Sequence, residues 1–296
     1  NVNLLGYVAR TQTPGRRRQD GSYLGQFNYT GDRYGLDLNH LLIGANFNPE
    51  IGFLRRDNIR RSALSARFSP RPRTIDWLRR ISFEGGVNYV ETATDRVLET
   101  RERQGAVGLQ LENGDRVTTS IMDRYEHLTG PFSIAPAVTL QQGGYGFQEF
   151  GLSYVFGPRR PVSGGIAIRS GSFWSGEATS VEIRRGRVEV TSQLSVEPSV
   201  SFHWVDLPEG RFTTNLGRAR VNYTFTPRMF LSGLVQYNSS GHTVNTNVRL
   251  RWEYSPGSEL FVVYTEDRDL DPFLPNRSTA MRNRGFVVKM NRLFRF

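Results

Sequence analysis

Residues 244–254 read VNTNVRLRWEY, and their apolar and polar side chains alternate. Because successive side chains of a β-strand point to opposite faces, one face of this segment carries Leu250 and Trp252, while the other carries Arg249 and Arg251. An amphipathic helix would instead repeat its apolar residues every three to four positions. The stretch therefore predicts a β-strand with one apolar and one charged face.

The same two-residue period recurs at 81–89, 148–156, 194–204 and 216–225. No segment has a convincing helical stripe, and the nearest rival, 36–43, lacks capping residues. We therefore expect an all-β protein, with about 16 antiparallel strands in hairpin succession.

Composition limits the remaining possibilities. The 296 residues carry a net charge of +10 and no cysteine, and 38% are hydrophobic. No apolar run approaches the roughly 20 residues that a membrane-spanning helix needs. The absence of cysteine excludes a disulfide framework, thiolate metal sites and a cysteine nucleophile. The chain starts at Asn1 inside an apparent strand, so it is either processed or a fragment of a longer protein, and we expect a single domain over 1–296.

The connections between the expected strands form two alternating classes. The tight, turn-like ones lie at 31–32, 69–72, 113–115, 157–158, 191–192, 226–227 and 255–257. The longer ones lie at 11–22, 47–58, 129–144 and 266–282, with shorter members near 93, 176, 208 and 240. A barrel with short turns at one rim and longer loops at the other gives this order, so we expect periplasmic turns and extracellular loops.

Aromatic residues favour a membrane barrel over a soluble β-sandwich. They precede several tight connections as pairs: Tyr154 with Phe156, Tyr223 with Phe225, and Trp252 with Tyr254. Rings at the strand ends form the girdles of outer-membrane barrels. In hydrocarbon the sheet must also close, because an open strand edge leaves backbone amides unpaired. In the soluble alternative, the apolar face would be a sandwich core.

The C-terminal segment resembles the signal that the barrel assembly machinery recognises. The aromatic and apolar residues Phe286, Val288, Met290, Phe294 and Phe296 share one parity, and the chain ends on an aromatic ring. The alternative is an ordinary edge strand that stops at phenylalanine.

Several stretches resemble the C-terminal part of the bacterial carbohydrate-binding family 9 domain-containing proteins. These stretches are 46–56 (NFNPEIGFLRR), 204–208 (WVDLP), 236–239 (QYNS), 257–264 (GSELFVVY), 282–284 (RNR) and 291–296 (NRLFRF). The resemblance implies an outer-membrane barrel domain of unknown function, normally preceded by further barrel sequence and an amino-terminal carbohydrate-binding-like module. The sequence contains no such module, so the resemblance assigns sugar binding to no residue here.

The polar faces of the expected strands supply the candidate site residues. Those that would line a lumen are Arg61, Arg67, Glu84, Arg218, Arg220, Arg249, Arg251, Glu253, Lys289 and Arg295. A basic lumen would favour anionic or polar, sugar-like solutes. Alternatively, arginines paired with Glu84, Glu197 and Glu253 would form a network that stiffens the interior.

Enzymatic and nucleic-acid-binding functions are disfavoured. The histidines form no His-x-x-x-His pair, no Gly-x-Ser-x-Gly elbow occurs, and Asp123 and His127 share only strand parity. We therefore expect no catalytic residues, no metal and no cofactor. Arginine is spread along the chain apart from the compact run 16–18, whose expected loop position suits lipopolysaccharide phosphates better than nucleic acid.

The sequence thus predicts a barrel in a Gram-negative-type outer membrane, porin-like, acting in transport as a channel or uptake component for polar solutes, including carbohydrate or anionic ones. Its expected partners are outer-membrane lipid, lipopolysaccharide, the barrel assembly machinery and a periplasmic or surface protein. The alternative is a non-conducting barrel that anchors a carbohydrate-binding module or a partner protein.

Overall fold

A computed structural model describes residues 1–15, 18–157, 160–270 and 281–294. Strands make up 73% of the chain, and none of the described segments is a helix that could cross a membrane. The chain forms one large antiparallel sheet, so the expectation of an all-β fold with about 16 strands is confirmed.

The described part of the chain contains eighteen strands. In chain order they are β1 (Val2–Arg10), β2 (Gly21–Thr30), β3 (Tyr34–Ile43), β4 (Ile59–Phe68), β5 (Leu78–Thr92), β6 (Leu98–Leu111), β7 (Arg116–Leu128), β8 (Phe132–Ala135), β9 (Val138–Leu140), β10 (Gly143–Phe156), β11 (Val162–Phe173), β12 (Gly176–Glu189), β13 (Leu194–Leu207), β14 (Gly210–Thr226), β15 (Met229–Asn238), β16 (Thr243–Ser255), β17 (Ser258–Asp269) and β18 (Met281–Asn291).

Sixteen of these strands form the large sheet, in which each strand pairs with its neighbour in sequence. The order is interrupted once, where β7 pairs with β10 and the intervening β8 and β9 form a separate hairpin. Residues that lie directly opposite each other share a face of the sheet. The register therefore shows which side chains lie on the same face. Arg249 of β16, for example, lies opposite Ser232 of β15 and Val263 of β17, so these three residues share a face.

The chain divides into two compact units. Unit 1 comprises residues 1–152, 169–178 and 205–211, and unit 2 comprises residues 153–168, 179–204 and 212–296.

The connections only partly follow the expected alternation. Those near 176 and 208 are not longer loops: residues 174–175 alone join β11 to β12, and residues 208–209 alone join β13 to β14. The first turn is tight because Trp174 adopts a left-handed backbone conformation, with φ of 52°. Conversely, the expected tight turn at 69–72 is part of a connection that spans 69–77. Two prolines there cannot donate to a strand ladder.

The hairpin β8–β9 packs through an aromatic cluster in unit 1. The ring of Trp174 lies 6.0 Å from Phe132 of β8, 5.4 Å from Tyr145 and 5.5 Å from Phe147 of β10. In the same hairpin, Leu140 has no exposed surface. The interpretation of 129–144 as a simple loop was therefore incomplete.

Few apolar side chains are buried anywhere in the described chain. They are Leu78, Val90, Val138, Leu140, Phe147, Ala167, Val205 and Leu207. Many of the larger apolar side chains are exposed, on one face of the sheet in β3, β4 and β5 and on both faces in the end strands β1 and β18. Leu38, Leu64 and Val87, for example, lie opposite one another across β3, β4 and β5, and all three are exposed.

We predict that Leu140→Ala destabilises the protein by about 2–5 kcal/mol, because it removes buried methyl groups and leaves a cavity in the base of the hairpin. Chemical denaturation of the folded protein measures this loss. The control is Ile51→Ala, which truncates a fully exposed residue and should leave stability within about 0.5 kcal/mol. Equal effects of the two substitutions would contradict a packed role for the hairpin.

Candidate functional site: the polar face of each unit

The candidate residues of unit 1 lie on the face opposite the exposed apolar side chains. Arg67 of β4 lies opposite Gly35 of β3 and Glu84 of β5. Arg61 shares this face, and its Nε donates a hydrogen bond to Asn88 Oδ1 at 2.9 Å. The strand register therefore places Arg61, Arg67 and Glu84 on the polar face of the sheet, as the two-residue period predicts.

Arg67 is held by the turn between β2 and β3. Its guanidinium donates hydrogen bonds to the carbonyl oxygens of Gly31 (2.7 Å) and Asp32 (3.2 Å) and to Ser69 Oγ (2.7 Å). A Cβ at Gly35 would come within 3.3 Å of Arg67 Nε, so the glycine lets the guanidinium lie close to β3. Arg67 is therefore a positioned cation with most of its donors in use.

The polar face of unit 1 contains a groove of about 460 Å³. Its charged lining residues are Asp37, Arg67, Glu84, Glu149 and Arg169. Arg169 and Glu149 lie 3.7 Å apart, and Asn28 Nδ2 donates to Asp37 Oδ2 at 3.0 Å. The lining contains both signs of charge and suits a polar solute or ordered water.

A second hollow on this face, of about 380 Å³, is more basic. Its charged lining residues are Asp32, Arg67, Arg80, Glu84 and Arg116. Arg80 and Arg116 were not among the predicted site residues. The alternation of Arg80 with Ser82 and Glu84 in the sequence places these three side chains on one face. The sequence does not show that Gln110 of β6 and Arg116 of β7 lie beside Arg80, because this depends on the register of the strands.

The hairpin β8–β9 lies on the polar side of unit 1. Phe147 is two residues from Glu149 on β10, so both side chains are on the same face, and Glu149 lines the larger groove. The Arg124 guanidinium lies 5.8 Å from the Phe147 ring centroid and pairs with Glu102 at 2.8 Å. The aromatic cluster therefore anchors the hairpin on the polar face.

In unit 2, two arginines of β16 stack on aromatic rings. Arg251 forms an ion pair with Glu259 and lies 5.4 Å from the Phe230 ring and 5.9 Å from the Phe261 ring. Arg249 lies 5.0 Å from the Phe261 ring. These contacts hold two cations beside each other on the polar face and leave Arg249 without a carboxylate among the described residues.

The expected pairing of arginines with Glu84, Glu197 and Glu253 is wrong where the structure describes it. Glu197 accepts a hydrogen bond from Asn222 at 3.3 Å, and Glu253 accepts one from the Gly257 backbone N–H at 3.0 Å. Within the described ranges, Glu84 has no ion-pair partner, nor do the other expected lumen residues Arg218, Arg220 and Lys289. A closed Arg–Glu network is therefore not formed by these residues.

The described C-terminal residues only partly follow the expected strand. Phe286, Val288 and Met290 share an exposed face of β18, but the strand ends at Asn291, so Phe294 lies beyond it. The predicted residues Arg295 and Phe296 lie outside the described residues. Arg292, which interrupts the apolar set, lies 5.0 Å from the Phe294 ring.

A polar band interrupts the apolar face near the ends of several strands. In unit 1, Asp123 accepts hydrogen bonds from Arg101 (3.4 Å) and Gln148 (3.2 Å). In unit 2, Glu266 pairs with Arg268 and with Arg284, the latter at 2.9 Å. The face that carries the exposed apolar side chains therefore also carries paired charges near these strand ends.

His40 lies between two hydroxyl groups. His40 Nδ1 lies 2.8 Å from Ser62 Oγ, and His40 Nε2 lies 3.1 Å from the Tyr23 hydroxyl, so the third group is a phenol and not a carboxylate. No group of three or more metal-ligating side chains occurs within the described ranges.

No family model matches the sequence, and no curated protein sequence matches it. The resemblance to carbohydrate-binding family 9 domain-containing proteins therefore stays a prediction. Among solved structures, the siderophore receptor PirA from Acinetobacter baumannii is similar at TM-score 0.46 and 10% identity, over 90% of this chain and 52% of that chain.

A mutant of the ferric enterobactin receptor PfeA from Pseudomonas aeruginosa is similar at TM-score 0.44 and 9% identity, over 90% of this chain and 53% of that chain. The chain spans about half the length of both receptors. A likeness at this level says nothing about ligand or activity.

We predict that Arg67→Ala destabilises the protein by about 1–3 kcal/mol, because two turn carbonyls and Ser69 lose their charged donor. Thermal unfolding monitored by circular dichroism measures this change. Arg218→Ala is the matched control: it makes the same truncation at a residue with no described partner and should change stability by less than about 0.5 kcal/mol. A loss in the control as large as that for Arg67→Ala would contradict the anchoring role.

Proposed function

We propose that this chain forms a β-barrel, or part of one, in a bacterial outer membrane. In this proposal the apolar face contacts lipid and the polar face lines an aqueous interior. The protein acts as a channel or uptake component for polar solutes, including carbohydrate or anionic ones. Lipid and lipopolysaccharide surround it, and the barrel assembly machinery inserts it.

The exposed apolar face is the observation that carries this proposal. Leu38, Leu64 and Val87 form a row across three strands, and Leu4 and Phe27 extend it across β1 and β2 through direct register. A groove of about 770 Å³ with these five residues in its lining follows the row. Soluble monomers rarely expose contiguous apolar surface of this extent, whereas acyl chains would cover it.

Aromatic rows at the strand ends support the same orientation. In unit 1, the rings of Tyr34 and Phe68 stack at 5.3 Å, and those of Phe68 and Phe83 at 6.2 Å. In unit 2, the rings of Trp252 and Tyr254 lie 6.1 Å apart at the end of β16. Girdles of this kind mark the membrane–water interface of outer-membrane barrels.

Charges in the middle of strands support a wet interior. Arg249 and Arg251 lie between apolar residues of β16 but face away from them. Removing such charges from water without full pairing costs several kcal/mol. A water-filled lumen provides the required hydration and, with the excess of arginine, a positive potential that favours anionic solutes.

The non-conducting alternative rests on the hairpin β8–β9. The aromatic cluster anchors this hairpin on the polar face of unit 1, and a hairpin in that position narrows the space available to a solute. In this alternative the barrel holds a carbohydrate-binding module or a partner protein at the outer membrane. The resemblance of 46–56 and 257–264 to carbohydrate-binding family 9 domain-containing proteins motivates the choice of module.

Charged substitutions on the two faces test the membrane orientation. We predict that Val248→Arg lowers the free energy of unfolding from lipid vesicles by about 2–4 kcal/mol, because it places a cation in hydrocarbon. Asn247→Arg is the matched control on the polar face and should change it by less than about 1 kcal/mol. Folding is measured by denaturant titration in vesicles. Equal costs at the two positions would contradict lipid contact.

Liposome swelling separates the channel from the anchor. Liposomes that contain the folded chain should swell in arabinose faster than in a large trisaccharide, because a lumen filters solutes by size. Removal of residues 131–141 should increase the swelling rate if the hairpin narrows the lumen. No swelling with either form of the protein would favour the anchoring barrel.

A further inference from the structure

We propose that the smaller hollow of unit 1 is an oxyanion-binding site. Its ligand is a phosphate or carboxylate group of a small polar solute, bound between Arg80 and Arg116. This assignment deepens the proposed function and rests on the polar face being open to water.

The register places the two arginines at opposite sides of one row. Arg80 of β5 lies opposite Gln110 of β6, which lies opposite Arg116 of β7. Because adjacent strands are about 4.8 Å apart, the Cα atoms of the two arginines are separated by about 10 Å. Their guanidinium groups can therefore reach one anion from two sides.

The next row forms the floor of the site. Ser82 of β5 lies opposite Gly108 of β6, which lies opposite Thr118 of β7, and all three line the hollow. A Cβ at Gly108 would come within 2.5 Å of Ser82 Oγ. The absence of a Cβ therefore lets the Ser82 hydroxyl lie over Gly108, on the side of β6 that also faces Thr118, and both hydroxyl groups can donate hydrogen bonds to an anion.

The donors of the site are free to bind a ligand. Within the described ranges, the side chains of Arg80, Gln110, Arg116, Ser82 and Thr118 have no hydrogen-bond or ion-pair partner. By contrast, Asp32 at the edge of the hollow already pairs with Arg71. Unpaired guanidinium groups bind phosphate and carboxylate through charge-assisted, often bidentate, hydrogen bonds.

Glu84 limits the kind of anion that fits. It lies on the row beyond Ser82 in the same hollow and has no described cation within ion-pair distance. A carboxylate there repels a second negative group and accepts a hydrogen bond from a hydroxyl or ammonium group. The site therefore suits a solute that carries one anionic group and a hydroxyl or ammonium group at some distance from it; a sugar monophosphate and a sugar acid are examples.

The test is a binding titration on the full chain folded in detergent micelles. Inorganic phosphate is the first probe, followed by glucose 6-phosphate and by glucose as the uncharged comparison, with binding measured by titration calorimetry. The test variant combines Arg80→Gln with Arg116→Gln. The matched control combines Arg218→Gln with Arg220→Gln, which removes the same charge from the polar face of unit 2.

We expect phosphate and glucose 6-phosphate to bind and glucose not to bind. The Arg80/Arg116 variant should weaken phosphate binding by about tenfold or more, because two charged donors are lost, while the Arg218/Arg220 variant should stay within about twofold. Circular dichroism confirms that each variant folds, and Ser82→Ala with Thr118→Val provides a second, uncharged disruption of the floor. This second disruption should also weaken binding.

If both double arginine variants weaken phosphate binding equally, the proposed site is wrong, because the overall positive charge of the protein would then account for the binding. No binding of phosphate to the unmodified chain would also overturn it. Conductance of the same preparation in planar bilayers keeps the two proposals apart. If the chain binds phosphate but does not conduct, the channel function is contradicted and the oxyanion-binding site is supported. If the chain conducts but does not bind phosphate, the site is contradicted and the channel function is supported.

Discussion

The uncovered apolar face of the large sheet is the constraint on which the rest of the structure depends. Each strand must place alternate side chains on opposite faces, and one face of β16 carries Val248, Leu250 and Trp252. The described part of the chain lays no second sheet over this face, since its one additional hairpin packs on the polar side. In the proposed orientation lipid covers this face, and the hydrophobic effect then no longer opposes its exposure.

The polar face follows from the same alternation but is organised by local contacts. Arg67 is fixed by turn carbonyls, Arg251 by Glu259 and two rings, and Glu253 by a backbone N–H. These contacts use some charges structurally and leave others, such as Arg80 and Arg116, available. The proposed selectivity therefore depends on which cations remain unpaired and less on the net charge of +10.

Sequence periodicity predicts the long strands well. The alternation over 244–254 corresponds to β16, and the register of β16 with β15 and β17 places its arginines on one face as expected. Periodicity fails for β8 and β9, because strands of four and three residues are too short for alternation to show. It also cannot show the row of Arg80, Gln110 and Arg116, since cross-strand neighbours depend on register and not on spacing along the chain.

The most direct test compares two adjacent positions at the same depth in β16. Because the chain has no cysteine, Leu250→Cys and Arg249→Cys can each carry a single environment-sensitive fluorophore in vesicles. If the apolar face contacts lipid, the label at position 250 is quenched by brominated acyl chains, and the label at position 249 is quenched by aqueous iodide alone. Iodide quenching of both labels, with no quenching by brominated lipid, would contradict the account.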